Sequence, residues 1–156
     1  MLAHLMTANR LSLLENQLRL AETVTPHLMS CVIDGACVRW AAIRRTDQAA
    51  QLSRLIATGA WTDAALALID FELPQWRLRR LAQDEGEWLC SLSKQPNLPL
   101  ELDDTADARH ENLPLALLGA FLEAQRQTAD AHEPRLSAVP QIGPATARAI
   151  CCDNFS

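Results

Sequence analysis

The dipeptide Asp34-Gly35 lies between two apolar runs of the sequence, LMSCVI and ACVRWA. Asp-Gly accepts the positive φ angles of a type I′ turn, which joins the strands of a tight β-hairpin. Pairing the runs across this turn places alternate apolar residues on one face. The pattern therefore predicts a hairpin from Met29 to Trp40, with Trp40 buried on its core face. A helix ranks second, because Gly35 in its interior would cost about 1 kcal/mol.

A second hairpin is predicted over residues 76–93, around the tripeptide Asp84-Glu85-Gly86. This tripeptide fits a type I turn followed by a glycine in the left-handed conformation. The register directs three side chains of the second strand toward the core, namely Trp88, Cys90 and Leu92. Their expected partners on the first strand are Ala82, Arg80 and Leu78. The inward Arg80 is the weak point of this register, because a charged side chain is rarely buried without a partner.

The same register places Arg77 and Arg79 on the opposite face of the hairpin, across from Ser93 and Ser91. Lys94 follows at the end of the strand, so this face is polar and locally basic. Neither arginine has a carboxylate opposite it on the paired strand. We therefore expect Arg77, Arg79 and Lys94 to bind a partner, another protein with an acidic surface, rather than to stabilise the fold.

Helical periodicity and capping residues define the remaining elements. Helices are predicted over residues 12–23, 46–59, 62–70 and 114–127, and a short acidic helix over residues 100–109. The expected N-caps are Ser12, Thr46 and Thr62, the expected left-handed stop is Gly59, and the expected first-turn proline is Pro114. The apolar face of the last helix consists of Leu115, Leu118, Phe121 and Leu122.

Together these elements predict an α+β fold, a small antiparallel sheet from two β-hairpins covered by three or four helices. The chain has 156 residues, of which 49% are hydrophobic and 21% charged, so it can bury one self-sufficient core. We expect a single α+β domain over residues 1–127. Residues 128–156 contain three prolines and little periodicity, and we interpret them as a disordered or loosely packed tail.

Composition also restricts the location and the partners of the protein. The formal net charge of -5 gives no general attraction for a phosphate backbone, so nucleic acid is not an expected partner. No apolar stretch approaches the roughly 20 residues needed to cross a bilayer, and the first residues show no secretion pattern. The five cysteines lack a spacing framework, so we expect reduced thiols in a cytoplasmic protein, with no membrane partner and no cofactor.

Candidate catalytic and metal-binding residues are scattered along the chain. His27, Cys31, Cys37 and Cys90 are nominal zinc ligands, but the predicted hairpin places Cys31 and Cys37 on opposite faces. Cys37 or Cys90 beside His27 or His110 could form a nucleophile–base pair, although no local motif activates them. His110 is the first choice for a titrating group, against the simpler interpretation of a surface histidine.

Asp103, Asp104 and Asp107 form the pattern D-D-x-x-D, which resembles the magnesium-binding motif of isoprenoid synthases. That family is a large helical bundle with a second acidic motif. Neither feature fits this chain, so a solvated acidic helix face is the preferred interpretation.

Residues 136–150, LSAVPQIGPATARAI, resemble a single helix-hairpin-helix element of DNA-binding proteins. The resemblance implies that backbone amides at Gln141, Ile142 and Gly143 hold a phosphate. Two features depart from the family pattern. Gln141 replaces the first glycine of the hairpin, and the second helix offers a single cation, Arg148.

More broadly, the sequence WRLRRLAQDEGEWLCSLS and the QPNLP that follows it resemble parts of small bacterial proteins with no assigned activity. This resemblance implies no site residue. We therefore hypothesise a non-catalytic interaction or regulatory protein that uses the basic hairpin face or an open strand edge. The alternatives are a small enzyme with dispersed catalytic residues and nucleic-acid binding through the tail.

Overall fold

The computed structural model describes the backbone of residues 2–43 and 45–132. The elements follow in the order α1 (Leu2–Leu20), α2 (Pro26–Ala36), α3 (Trp40–Ile43), α4 (Asp47–Ala57), α5 (Trp61–Glu72), β1 (Arg77–Asp84), β2 (Glu87–Ser93), a short 3-10 helix (Leu100–Leu102), β3 (Ala106–His110) and α6 (Leu113–His132). The strands form one antiparallel sheet in the order β1-β2-β3. The predicted α+β class with a small antiparallel sheet is confirmed, although only one of the two predicted hairpins belongs to it.

Helix α6 is the centre of the fold. It packs against β2 and β3 of the sheet and against α1 and α5. A helix surrounded by neighbours is apolar around most of its circumference, and residues 115–118 are all buried. The predicted apolar face of this helix is confirmed as buried: Leu115, Leu118, Phe121 and Leu122. Among the described residues, no helix combines the length and apolar composition that a membrane crossing requires.

The predicted hairpin over residues 29–40 is wrong, because this segment continues helix α2 through Gly35. The hydroxyl oxygen of Thr25 caps the helix by accepting a backbone hydrogen bond at 3.1 Å, and Pro26 occupies the first turn. A Cβ atom on Gly35 would lie 2.8 Å from Cδ1 of Leu14. The glycine therefore allows α1 and α2 to approach closely instead of forming a turn.

Trp40, predicted to lie buried in that hairpin, begins α3 and is only partly buried. Its ring meets Phe71 edge to face, with 6.0 Å between the ring centres. The Glu72 carboxylate accepts backbone hydrogen bonds from Trp40 at 2.8 Å and from Arg39 at 3.3 Å. Burial raises the pKa of Glu72, and these two N–H groups act in the opposite direction. Helix α5 thus holds the start of α3 in place.

Three of the five predicted helix signals are confirmed and two are wrong. Pro114 lies in the first turn of α6. Thr46 caps α4 by accepting a backbone hydrogen bond at 3.3 Å, and Gly59 follows this helix with a φ of 71°. Ser12 lies inside α1, where its hydroxyl donates to a carbonyl of the preceding turn. Thr62 lies inside α5, which begins one residue earlier without a side-chain cap.

The second predicted hairpin is confirmed as β1 and β2, with a different turn and register. The turn consists of Glu85 and Gly86, whose φ angles of 51° and 86° are those of a type I′ turn. The extra residue lies instead inside β1, as a bulge between Leu78 and Arg80. Arg80 pairs with Ser91 as a result, and the difficulty of an inward arginine disappears.

The short acidic helix predicted over residues 100–109 is wrong, because a 3-10 turn covers Leu100–Leu102 and strand β3 begins at Ala106. Ala106 and Ala108 lie on its buried side, where α6 approaches closely at Gly119. Helix α6 continues to His132, so residues 128–132 of the predicted tail belong to it. The segment resembling a helix-hairpin-helix, residues 136–150, lies outside the described residues, as do the last two cysteines.

Candidate interaction surface

The sheet has one face covered by α6 and a second face whose side chains alternate with those of the first. On the covered face, Cys90 and Leu92 are completely buried. We call the second face the outer face. Its side chains are Arg77, Arg80 and Ala82 of β1, Leu89, Ser91 and Ser93 of β2, and Asp107 and Arg109 of β3. Of these, Ser91 and Ser93 are buried.

Three arginines make the outer face basic. Arg77 and Arg80 are exposed opposite serines of β2, and neither forms an ion pair with any other described residue. Arg109 on β3 is also exposed, while Asp107 supplies one negative charge. The prediction that Arg77 points away from the core is confirmed by its pairing with Ser93.

Arg79, the bulged residue of β1, has a carboxylate partner that the sequence register does not reveal. Its Nη1 lies 2.5 Å from Oδ2 of Asp103, and its Nη2 donates to the carbonyl of Leu98 at 2.7 Å. Ser93 Oγ donates to the same carboxylate oxygen at 2.6 Å. The side chains of Arg79 and Asp103 are only 15% and 3% exposed. The bulge therefore directs Arg79 into a buried network, and we leave it out of the outer face.

Lys94 lies at the end of β2 but on the side of the sheet that faces α6. Its Nζ is 5.1 Å from the centre of the Trp76 ring, a cation–π contact. Trp76 is 2% exposed and donates through Nε1 to Thr128 of α6 at 3.3 Å. This contact borders a cavity of about 820 Å³ beside the C-terminal part of α6. The structure thus separates Lys94 from Arg77, with which the sequence grouped it.

Strand β1 is an open edge of the sheet, because within the described residues it has a strand partner on one side only. On its α6 side, Leu78 and Leu81 remain 41% and 39% exposed. Leu78 pairs with Leu92 and Leu81 with Cys90, so the bulge brings two leucines three residues apart onto the same face. The β1 edge therefore presents arginines on one side and leucines on the other.

The opposite edge, β3, faces α1 across a cavity of about 270 Å³ that contains His110. Arg126 of α6 forms ion pairs with Glu15 of α1 and with Glu123, and so bridges the helices beside it. His110 Nδ1 accepts a hydrogen bond from the backbone N–H of Asn112 at 2.9 Å, so the neutral ring carries its proton on Nε2. No serine, threonine or cysteine is among the described residues lining this cavity.

The candidate nucleophiles Cys37 and Cys90 are buried, and among the described residues neither forms a hydrogen bond with His27 or His110. Burial, with the nearby charges of Glu72 and Asp34, raises the pKa of Cys37. Burial, with the charge of Asp107, raises the pKa of Cys90 to about 12. These shifts disfavour the reactive thiolate.

His27 and Cys31 are the pair that the structure does bring together, with 3.7 Å between Nε2 and Sγ. They are four residues apart on α2 and therefore share a helix face. The predicted strand did not indicate this proximity. In the described part of the chain, no three His, Cys, Asp or Glu residues are placed to hold a metal ion.

Alkylation of the folded protein with iodoacetamide at pH 8 is expected to modify Cys31 at least about tenfold faster than Cys37 or Cys90, because Cys31 is partly exposed and the others are buried. Tandem mass spectrometry of the digested chain gives the rate at each position. Equal rates at Cys31 and Cys90 without denaturant would show that the buried thiols are accessible after all.

Sequence reasoning did not identify four residues of this surface as exposed. They are Arg80, Arg109 and the two β1 leucines, Leu78 and Leu81. The signal for the leucines was their odd spacing, which a regular strand cannot place on one face and a bulge can. The signal for Arg109 was the alternation of alanines and charged residues in ADARH, a half-buried strand pattern. No family model matches the chain, and no curated protein or solved structure is significantly similar to it.

Proposed function

We propose that this protein is a non-catalytic interaction protein that binds an extended acidic segment of another protein along the free edge of β1. The observation that carries the proposal is the chemistry on the two sides of this edge. Arg77 and Arg80 lie on the outer-face side, and the half-exposed Leu78 and Leu81 lie on the α6 side. A segment that adds as a strand gains main-chain hydrogen bonds and side-chain contacts together.

The alternation of side chains in an added strand defines the sequence that fits this edge. Successive side chains of a strand point to opposite faces. Acidic residues at every second position would lie beside Arg77 and Arg80, and apolar residues between them would cover Leu78 and Leu81. We therefore expect the bound segment to alternate Asp or Glu with aliphatic residues.

The bulge and the charges of β1 favour a selective partner. An open edge can pair with almost any exposed strand, and bulges and charged residues are the usual means of preventing this. The bulge at Arg79 interrupts the edge, and the two exposed arginines repel a basic segment or a second copy of β1. The same two arginines attract an acidic segment.

Strand binding is tested by titrating ¹⁵N-labelled protein with a synthetic eight-residue peptide that alternates valine and glutamate. The largest amide shifts are expected within residues 77–84. Binding should weaken as salt rises from about 0.1 M to about 1 M, because the screening length falls from about 10 Å to about 3 Å. A peptide alternating valine and lysine is the control, and equal binding of both peptides would contradict the proposal.

Replacing Arg77 and Arg80 with serine is expected to weaken binding of the valine–glutamate peptide at least about tenfold. The free energy of unfolding should change by no more than about 1 kcal/mol, because both side chains are exposed. A matched control replaces Arg45 and Arg54, two exposed arginines outside the sheet, and gives the same net charge. If the control lost as much affinity, the attraction would be general rather than local to β1.

A further inference from the structure

Helix α1 carries two apolar stripes, of which the fold uses one. Leu11, Leu14 and Leu18 are buried where α1 packs against α2 and α6. The second stripe consists of Leu2, Leu5, Met6, Leu13 and Leu20, which are 75%, 65%, 63%, 61% and 75% exposed. Half of the exposed large apolar side chains of the described residues thus lie on this one helix. Such a concentration marks an interaction surface rather than scattered exposure.

Four members of the exposed stripe follow a seven-residue repeat with two asparagines between them, and Leu5 flanks this row. The six positions of the repeat are Leu2, Met6, Asn9, Leu13, Asn16 and Leu20. The intervals alternate between four and three residues, which is the a/d pattern of a two-stranded coiled coil. We call these six positions the α1 seam. The seam contains no charged residue.

The seam lies nearly opposite the buried stripe of α1. At 100° per residue, the mean directions of the two stripes differ by about 150° around the helix axis. A second helix along the seam would therefore lie on the side of α1 away from the core. Two domains joined there would extend in opposite directions.

We propose that two copies of this chain pair through the α1 seam as a parallel two-stranded coiled coil. Parallel pairing in register places every seam residue beside its own equivalent. Asn9 then meets Asn9 and Asn16 meets Asn16, so that each amide has a hydrogen-bonding partner, whereas a shift by one heptad would place Asn9 of one copy beside Leu2 of the other. The flanking positions bring Ser12 beside Gln17 of the second copy, and Leu5 beside the aliphatic stem of Arg10, without any contact between like charges.

The size of the seam fits a reversible dimer. A large aliphatic side chain offers on the order of 100 Å² of apolar surface, and the five exposed side chains are about two-thirds free. The two copies would therefore remove roughly 700 Å² of apolar surface from water, to which the amides and flanking stems add. This area is below the roughly 1,200 Å² at which stable specific interfaces begin and lies in the range of weak, reversible associations. Because α1 is already folded onto the domain, pairing does not have to order it.

Sedimentation velocity of the full chain between about 1 and 500 µM tests the proposal, with dimerisation expected in the micromolar range. Replacing Leu13 and Leu20 with glutamate should raise the dissociation constant at least about 100-fold, with an unchanged far-UV spectrum because both side chains are exposed. The matched control, Val38→Glu with Leu102→Glu, changes two residues that are 85% and 70% exposed elsewhere, and should leave the constant within about twofold. A wild-type monomer at every concentration would overturn the proposal.

Two further measurements identify the occupant and its orientation. Asn16→Cys should form an intermolecular disulfide between the two residues 16 with oxidised glutathione, identified by mass spectrometry of the non-reduced digest, because parallel pairing in register brings these residues together. The absence of this linkage would contradict that orientation. A chain ending at residue 132 should dimerise like the full chain. If only the shortened chain dimerised, residues 133–156 would be the occupant of the seam and the proposal would fail. Dimerisation should persist in the Arg77→Ser, Arg80→Ser variant, which separates this surface from the β1 edge.

Discussion

Substitution of Asp103 by alanine is expected to lower the free energy of unfolding by about 3–5 kcal/mol, the cost of leaving a buried charge without its partner. The carboxylate is 3% exposed and accepts hydrogen bonds from Arg79 at 2.5 Å and from Ser93 at 2.6 Å. Without this carboxylate, the Arg79 guanidinium retains its hydrogen bonds to backbone carbonyls, such as that of Leu98, but has no anionic partner. Urea denaturation measures the loss, and the thermal midpoint should fall by roughly 10 °C.

Asp104→Ala is the control for this substitution, because Asp104 is the exposed neighbour of Asp103, and it should change stability by less than about 0.5 kcal/mol. Replacing the pair together, Arg79→Met with Asp103→Leu, should be less destabilising than Asp103→Ala alone, since no unpaired charge remains. A loss below about 1 kcal/mol for Asp103→Ala would show that the network does not support the fold, and would make Arg79 available to a partner again.

Gly119→Val is expected to destabilise the protein by about 2–3 kcal/mol through overpacking between α6 and β3. A Cβ atom at this position would lie 2.9 Å from Cβ of Ala108, an atom fixed by the strand backbone. The loss should occur although valine has a better helix propensity than glycine. Thermal unfolding gives the change, and Ala129→Val, at a half-exposed position of the same helix, is the control.

A size exchange tests the same contact from the other side. Gly119→Ala alone should destabilise, and Ala108→Gly in the same chain should recover at least about 1 kcal/mol relative to additivity, because it removes the opposing carbon. Strictly additive effects, or a Gly119→Val protein as stable as the wild type, would mean that α6 and β3 can separate at little cost.

The class of the fold followed from local patterns, but one element was assigned to the wrong class. Asp34-Gly35 has the chemistry of a hairpin turn, and the same stretch has a threonine and a proline at its start that suit a helix N-terminus. Tertiary packing explains the glycine in this helix, because the close approach of Leu14 leaves no room for a side chain at position 35. A contact between residues that are 21 positions apart cannot be recognised from a short segment of the sequence.

The binding surface was predicted only in part. The hairpin was predicted correctly, but the position of its extra residue was wrong. Assigning the extra residue to the turn kept Arg77 outside but exchanged the roles of Arg79 and Arg80. In the structure the extra residue is Arg79, and its guanidinium pairs with Asp103 from outside the hairpin. The hairpin sequence does not contain this partner, so it could not indicate where the extra residue lies.

Strand addition at β1 is tested most directly by amide hydrogen exchange of residues 77–84 with and without the valine–glutamate peptide. An edge strand has N–H groups without a protein partner, and these exchange quickly until another strand covers them. We predict that the peptide slows exchange within residues 77–84 at least about tenfold and leaves residues 106–110 unchanged. At the same peptide concentration, the Arg77→Ser, Arg80→Ser variant should gain much less protection. Unchanged exchange in residues 77–84 with the peptide bound, or protection of residues 106–110 instead, would contradict binding at the β1 edge.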